Sequence, residues 1–332
     1  MKNRYLILKG CAGLGNRLIT LSNTIDYARK TKRTLFVDWS DGQFGKKFDN
    51  VFYKYFRLIN IPHIQSLEVI KGYNNLTFYP PLWGKMPEKS LYDLYVQAGS
   101  DKLKRLLPFS LKGAISKKDG YWLQKTSLTT NSNKDLQTIK SLFKKNDIPY
   151  GGRYKTGIKE DVVFYADFCP PLKKEYLRNN LDLSNELAEE IGLLKNQLKI
   201  NQKTIGVHVR MTDKQPDSSL DSLKKIINDL KTKSSNIFLA TDNKMVEDYF
   251  LKNFKNVVFT SKWRPEDYGQ KMGIHQFAIR HEKYDHAETI LKESIIDMWL
   301  LAHCEFLIYQ KNSSFSKISA IIKNEPEKTF SW

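Results

Sequence analysis

Thr204-Ile-Gly-Val-His208-Val-Arg210-Met-Thr-Asp213-Lys214 is the stretch from which the rest of the chain is read. Ile205, Val207 and Val209 form a short, β-branched apolar run that predicts a strand, with His208 and Arg210 interleaved and a polar turn at Thr212 and Asp213. A buried strand ending on so many titratable groups is expected to face a ligand. Downstream the pattern alternates. Helices are predicted over Asp217 to Leu230, Met245 to Asn253 and Glu288 to His303, and strands over Asn236 to Ala240, Val257 to Thr260 and Phe306 to Tyr309, with a last helix opening at Ser313-Ser314. Polar residues gather where strands end and helices begin: Arg210 to Asp213, Thr241-Asp242, and Asn312 to Ser314. In an open α/β sheet ligands bind outside the carboxyl ends of the strands, so these three places should meet at one site.

The residue types at that edge suit a diphosphate. Arg210 supplies a rigid fork of donors with a permanent charge, and Ser313 and Ser314 add hydroxyls and backbone N–H groups at a helix start. The sequence has no D-x-D motif for a divalent metal and no P-loop lysine signature, so side chains must supply the positive charge. Asp297, among Met298, Trp299 and Leu300, is either a surface acid or a buried acceptor; a guanine edge presents the paired N–H donors such an acceptor would take. His208 could instead brace the core, and Arg210 could pair with Asp213 or Asp242 alone.

At the other end of the chain, Tyr5 to Leu8 predicts a strand, followed by the loop Gly10-Cys-Ala-Gly13-Leu-Gly15-Asn16-Arg17, a helix from Leu18 to about Lys30, and a second parallel strand over Thr34 to Asp38. Strand, glycine loop and helix aim backbone N–H groups at an anion. Asp38 ends the second strand where a ribose-binding acid would stand in a dinucleotide site, but Leu18 occupies the place of the third glycine. A nicotinamide or flavin site and a purely structural turn both remain open. From Trp39 to about Tyr150 the chain is aromatic, Lys-rich and without a clear pattern. Leu181 to Leu198 predicts an amphipathic helix opening near Asp182 or Ser184, and a domain boundary is expected near residue 200.

At 332 residues the chain is expected to form two domains. No stretch approaches the roughly 18 apolar residues of a membrane span, and Leu6 to Leu8 runs at once into Lys9 and a glycine turn rather than into a secretory leader. The three cysteines (Cys11, Cys169 and Cys304) match neither a disulfide framework nor paired zinc spacings. A cytoplasmic protein is expected, with a peripheral place at the inner membrane face as its variant. The net charge of +18 is uneven: residues 1–160 carry 29 Lys+Arg against 12 Asp+Glu, whereas residues 161–332 carry 25 against 24. The basic half would suit an acidic saccharide, an anionic glycolipid or a membrane leaflet, or simply keep the protein soluble. Nucleic acid has only the charge in its favour, because no zinc-finger, RRM or helix-turn-helix signature accompanies it.

Ile-Gly-Val-His208-Val-Arg210-Met-Thr-Asp213-Lys214, Leu-Ala-Thr-Asp242, and Ile-Ile-Asp297-Met-Trp-Leu-Leu-Ala-His-Cys-Glu-Phe-Leu-Ile followed by Ser313-Ser314 form an ordered series that resembles the α1,6-fucosyltransferase (NodZ-like) family. The loop Gly13-Leu-Gly15-Asn16-Arg17 and Arg33-Thr-Leu-Phe-Val-Asp38 extend the likeness to the N-terminus, and residues 45–180 are unmatched. The resemblance implies a GT-B pair of Rossmann-like α/β domains facing across a cleft, with an acceptor-side domain over 1–200 and a donor domain over 201–332. It implies inverting, metal-independent transfer from GDP-β-L-fucose, with no cofactor beyond that donor substrate and an oligosaccharide or glycolipid acceptor.

By the family's pattern Arg210 binds the β-phosphate, His208 and Asp297 line the guanosine pocket, and Ser314 or Ser313 holds a phosphate oxygen. Asp213 and Asp242 support the loop, and Gly13, Gly15, Asn16 and Arg17 belong to the substrate-binding glycine loop. Met211 stands where the family has a second arginine, so one contact is lost and the linkage does not carry over. The family's acid beyond the motif has Asp217 as its nearest counterpart, which ranks just ahead of Asp38 and Asp41 as general base. A nicotinamide-dependent oxidoreductase and a noncatalytic glycan- or nucleic-acid-binding protein are the competing readings. His275, His281 and His286 match no common metal spacing and are expected to be solvated.

Overall fold

The structure, a computed structural model, describes residues 3–10, 12–71, 75–84, 87–88, 156–167, 170–212, 216–230, 235–265, 274, 277–278 and 283–332. Asp213, Cys11, Cys169, His275 and His281, with most of the patternless stretch before Tyr150, lie outside these residues. The chain divides into two compact units, Met1–Asp182 and Leu183–Trp332, so the helix before residue 200 falls in the second unit.

In the first unit, strands β1 (Tyr5–Lys9), β2 (Thr34–Asp38), β3 (Phe78–Tyr79) and β4 (Val162–Tyr165) form a parallel sheet in the order β2-β1-β4-β3. Every residue of β1 and β4 is buried, the continuous burial expected of strands covered on both faces. Helix α1 (Leu14–Thr31) joins β1 to β2 and begins a turn earlier than Leu18, because Gly13 takes the extended N-cap conformation directly before it. Leu18, in the place a third glycine would take, is fully buried in the core.

At the boundary between the units, Leu181–Leu183 is a strand rather than the start of a helix. Its alternating Leu-Asp-Leu pattern leads to Ser184, whose hydroxyl accepts from Leu187 N and caps helix α2 (Asn185–Gln197). Helix α2 is tied to this unit through Glu190, 2.7 Å from Lys292. Next come β5 (Thr204–Val209), α3 (Leu220–Leu230), β6 (Asn236–Thr241), α4 (Lys244–Asn253), β7 (Val257–Val258), α5 (Tyr284–His303), β8 (Phe306–Tyr309), α6 (Ser314–Lys323) and β9 (Thr329–Ser331). The strands pair in parallel in the order β9-β8-β5-β6-β7. From β5 the chain adds β6 and β7 on one side, then crosses to add β8 and β9 on the other. The reversal between β5 and β8 is the topological switch point, where open α/β sheets place their ligands.

Two packing details fix β5. A Cβ on Gly206 would lie 2.9 Å from Cys304 Sγ, so only glycine lets α5 lie so close to the strand. Cys304 itself is buried, its thiol pKa is raised by burial, and it fills space as a small apolar residue. Among the described residues no helix is long and apolar enough to cross a membrane.

Candidate functional site

The carboxyl ends of β5 and β8 are stitched together by side-chain amides. Arg210 N donates to Gln310 Oε1 (2.7 Å), Gln310 Nε2 donates to Asn312 Oδ1 (2.8 Å), and Asn312 Nδ2 donates to Asp217 Oδ1 (3.1 Å). Gln310 is fully buried, so this chain of donors and acceptors has one orientation and sets where Arg210 leaves the strand. From the other side the Asp242 carboxylate accepts from Met211 N (3.2 Å) and Thr212 Oγ1 (2.6 Å) and lies 3.8 Å from Arg210 Nε. Asn243 adds a bond to Met211 O (3.1 Å). The loop carrying Arg210 is thus held by residues following β6 and β8. The Arg210 side chain keeps 20% of its surface exposed, enough for a ligand to reach it.

Met211 is partly buried against the core formed by β5, α3, β6 and α4. An apolar side chain continues the core at the position where the resembled family carries its second arginine.

His208, 6% exposed, lies under this loop on β5, its ring stacked on Phe315 at 4.9 Å between centroids. Burial, helped by the charges of Arg210 and Lys262, pushes its pKa down to about 3, so the imidazole is neutral at physiological pH. Its Nδ1 is buried and makes no hydrogen bond among the described residues. The Ser313 hydroxyl, at the N-cap of α6, is in the same condition. Ser314 is half-buried in the first turn of that helix, which has no side-chain cap and no acidic residue there. A buried hydroxyl without a partner beside uncapped helical N–H groups is chemically a receptor for an anion.

Asp297, 3% exposed on α5, is a buried acceptor rather than a surface acid. It takes a hydrogen bond from Thr260 Oγ1 (2.6 Å) and lies 2.9 Å from Lys262 Nζ. Two further residues of the segment after β7 are engaged. Trp263 N donates to the Glu293 carboxylate, and Arg264 Nη2 donates to Thr241 O (3.0 Å) and pairs with the buried Glu247 (2.5 Å). His286 is exposed and stacks on Trp263 at 4.4 Å. Among the described residues no three His, Cys, Asp or Glu side chains are grouped closely enough to hold a metal ion.

The glycine loop of the first unit has a different character. Arg17, 1% exposed, donates to Ala12 O (2.8 Å), Asp41 Oδ2 (2.6 Å) and Gln43 Oε1 (2.8 Å), and its guanidinium packs over Trp39 and Phe44. A Cβ on Gly10 would fall 2.1 Å from Arg17 Nη1, so the first glycine makes room for the arginine. Asp38 is buried against Lys9 Nζ (2.7 Å) and accepts from Ser40 N (3.0 Å). The ribose-binding acid of the dinucleotide reading is therefore already paired. Gly13 has open space where a Cβ would stand, Gly15 is buried in α1, and Asn16 is half-buried with its carbonyl accepting from Thr20 Oγ1 (3.0 Å).

Of the residues expected to bind or react, His208, Arg210, Asp217, Asp242, Ser313 and Ser314 lie in the second unit at or near the ends of β5, β6 and β8, and Asp297 lies in the same unit on α5, against the segment that follows β7. Arg17 is placed as an internal brace of the glycine loop. Gln310, Lys262 and Thr260 did not figure among the expected residues. Gln310 carried a readable signal, a polar residue directly continuing the apolar run Phe306–Tyr309, as His208 interrupts β5. Lys262 and Thr260 carried none.

No protein-family model and no curated protein matches the chain. Solved structures do. A NodZ α1,6-fucosyltransferase soaked with GDP-fucose is 19% identical, with a TM-score of 0.59 over 97% of this chain and 93% of that one. The fucosyltransferase NodZ from Bradyrhizobium is 20% identical, with a TM-score of 0.58 over 96% of this chain and 93% of that one. POFUT1 in complex with GDP is 11% identical, with a TM-score of 0.53 over 99% of each chain. The chain has the α/β fold of the GT-B fucosyltransferases, built on two parallel sheets.

Proposed function

We propose that the protein is an inverting fucosyltransferase that moves L-fucose from GDP-β-L-fucose to a saccharide acceptor without a metal ion. The observation that carries this reading is the convergence at the β5/β8 switch point of a registered Arg210 loop, the uncapped start of α6 and the partnerless Ser313 hydroxyl. That arrangement fits a diphosphate, and of the similar structures one was soaked with GDP-fucose and another is in complex with GDP. Arg210 holds the β-phosphate and stabilises the charge that grows on it as the bond to the fucose anomeric carbon breaks. Stabilisation of this kind contributes roughly 10²- to 10³-fold. Ser313 and Ser314 hold a phosphate oxygen, and neutral His208 and the Asp297 side chain line the nucleoside pocket. Asp242 holds the Arg210 loop. Gly13, Gly15 and Asn16 are assigned to the substrate side, Gly13 having space before it.

The acceptor hydroxyl attacks from the face opposite the departing GDP and must lose its proton. Asp217 is the proposed base: it is exposed, and Asn312 holds one of its oxygens while the other can accept the proton. Asp38 and Asp41 are less suited, being paired to Lys9 and Arg17. The basic first half supports an acidic oligosaccharide or glycolipid acceptor, and a peripheral contact with an anionic membrane surface on the cytoplasmic side. The oxidoreductase reading loses its support, since the acid it needs is buried in an ion pair.

The test is to incubate the purified chain with GDP-fucose and a panel of lipopolysaccharide, capsular and chitin-type oligosaccharides, with linkage analysis of any product. Fucosylated product in EDTA is expected. Loss of transfer in EDTA with recovery on adding Mn²⁺ would overturn the metal-free mechanism, and selective binding of NAD(P) would overturn the transferase.

A further inference from the structure

We infer that Lys262 is a specificity-determining residue, whose ammonium recognises the 6-oxo group of the purine held by Asp297. This rests on the donor reading above and deepens it. Lys262 follows β7, on the same side of the unit as the ends of β5 and β6. Its Nζ is 2.9 Å from Asp297 Oδ2, and its charge is close enough to His208 to help hold that ring neutral. The Nζ is buried yet makes no hydrogen bond of good geometry among the described residues; the Asp297 contact is an ion pair by distance alone. An ammonium has three donors and no acceptors, and burying it with none satisfied is costly unless a ligand completes it.

The pair is arranged to match one base edge. Asp297 accepts from Thr260 through Oδ1, yet each carboxylate oxygen has a second lone-pair site free in principle. A carboxylate with an ammonium beside it presents acceptor, acceptor, donor. Guanine presents the complement along its Watson–Crick edge: the 2-amino donor, the N1–H donor and the O6 acceptor. Adenine presents a donor and an acceptor in the reverse sense at positions 6 and 1, so the ammonium would meet an amino group and the carboxylate a lone pair. Asp297 by itself would read the two guanine donors; Lys262 adds the third point and rejects a base that lacks the oxygen. Thr260 orients the carboxylate from behind.

The experiment is calorimetric binding of GDP, IDP and 6-thio-GDP to the full chain and to Lys262→Met, which keeps the length and removes the charge. IDP lacks the 2-amino group read by Asp297, and 6-thio-GDP replaces O6 with a weakly accepting sulfur. In the native protein 6-thio-GDP should bind about 10-fold or more weakly than GDP, the loss of one charge-assisted hydrogen bond. In Lys262→Met that ratio should fall to within about 2-fold, while the penalty for IDP persists. A ratio near one in the native protein overturns the inference without any variant, which covers the case of a variant that does not fold. So does a Lys262→Met protein that loses GDP and 6-thio-GDP equally, because the ammonium would then only steady Asp297. Failure of the native protein to bind any guanosine nucleotide would instead sink the donor reading itself.

Discussion

The arginine-bearing segments that follow β1 and β5 occupy similar places after a parallel strand and hold their arginines differently. In the first unit Arg17 is buried against Asp41, Gln43 and Ala12 O, Asp38 against Lys9, and Gly10 exists to let the arginine in. In the second unit Arg210 is partly exposed on a loop fixed from both sides, near a His208 ring nitrogen and a Ser313 hydroxyl that are buried with no hydrogen-bond partner among the described residues. A buried ion pair is costly to assemble and costly to break, so the almost wholly buried Arg17–Asp41 pair marks a brace, although Arg17 Nη1 has no hydrogen-bond partner among the described residues. Groups left unsatisfied at a sheet edge mark a place for a ligand. The residue types alone do not separate the two; the partner sets do.

The sharpest way to break this comparison is to truncate both arginines. Arg210→Ala is expected to lower fucosyl transfer by about 10²- to 10³-fold while leaving the unfolding midpoint nearly unchanged, measured by product assay and denaturant titration. Arg17→Ala is expected to do the reverse at the level of cause: about 3 to 5 kcal/mol of stability is lost because Asp41 is left charged and buried. An Arg17→Ala protein as stable as the native one would mean that the first loop is not the brace described.

His208 sharpens the comparison next. Its folded pKa is about 3 against 6.5 in the unfolded chain, so between these values the unfolded state binds the extra proton. Its contribution is fully present above pH 6.5 and is lost as pH falls towards 3. His208→Phe should flatten the fall in unfolding free energy between pH 6.5 and 4; an unaltered acid limb would contradict the burial argument. Gln310→Leu leaves Arg210 N without its acceptor and should cost about 1 to 3 kcal/mol, with kcat falling more than KM rises because the loop loses its register. The smallest effect belongs to Asp38→Asn, which weakens the Lys9 pair but should leave GDP affinity within about 2-fold, since that carboxylate faces inward.

Much of this was legible in the residues. The β-branched runs and their polar endings located β5, β6 and β8 closely, because a buried parallel strand is an unbroken apolar run whose end is announced by a change of chemistry. Leu181–Leu183 misled because three residues before a good cap share the apolar pattern of the helix that follows. The start of α1 came a turn early because Gly13 serves as an extended cap, which composition does not reveal. Arg17 and Arg210 looked alike in sequence since both stand in the polar stretch that follows a parallel strand; the position of Asp41 and Gln43 in space separates them. Lys262 had no periodicity or motif to mark it, and its meaning comes wholly from its distance to Asp297.

The central claim, that the edge formed by β5, β6 and β8 holds the diphosphate of a GDP-sugar, is tested most directly by calorimetric titration of the native protein and of Arg210→Ala with GDP, ADP, UDP and NAD. GDP is expected to bind selectively to the native protein and at least 10-fold more weakly to Arg210→Ala, as the loss of a charge-assisted contact requires. Equal GDP affinity in the two proteins, or preference for NAD, would contradict it.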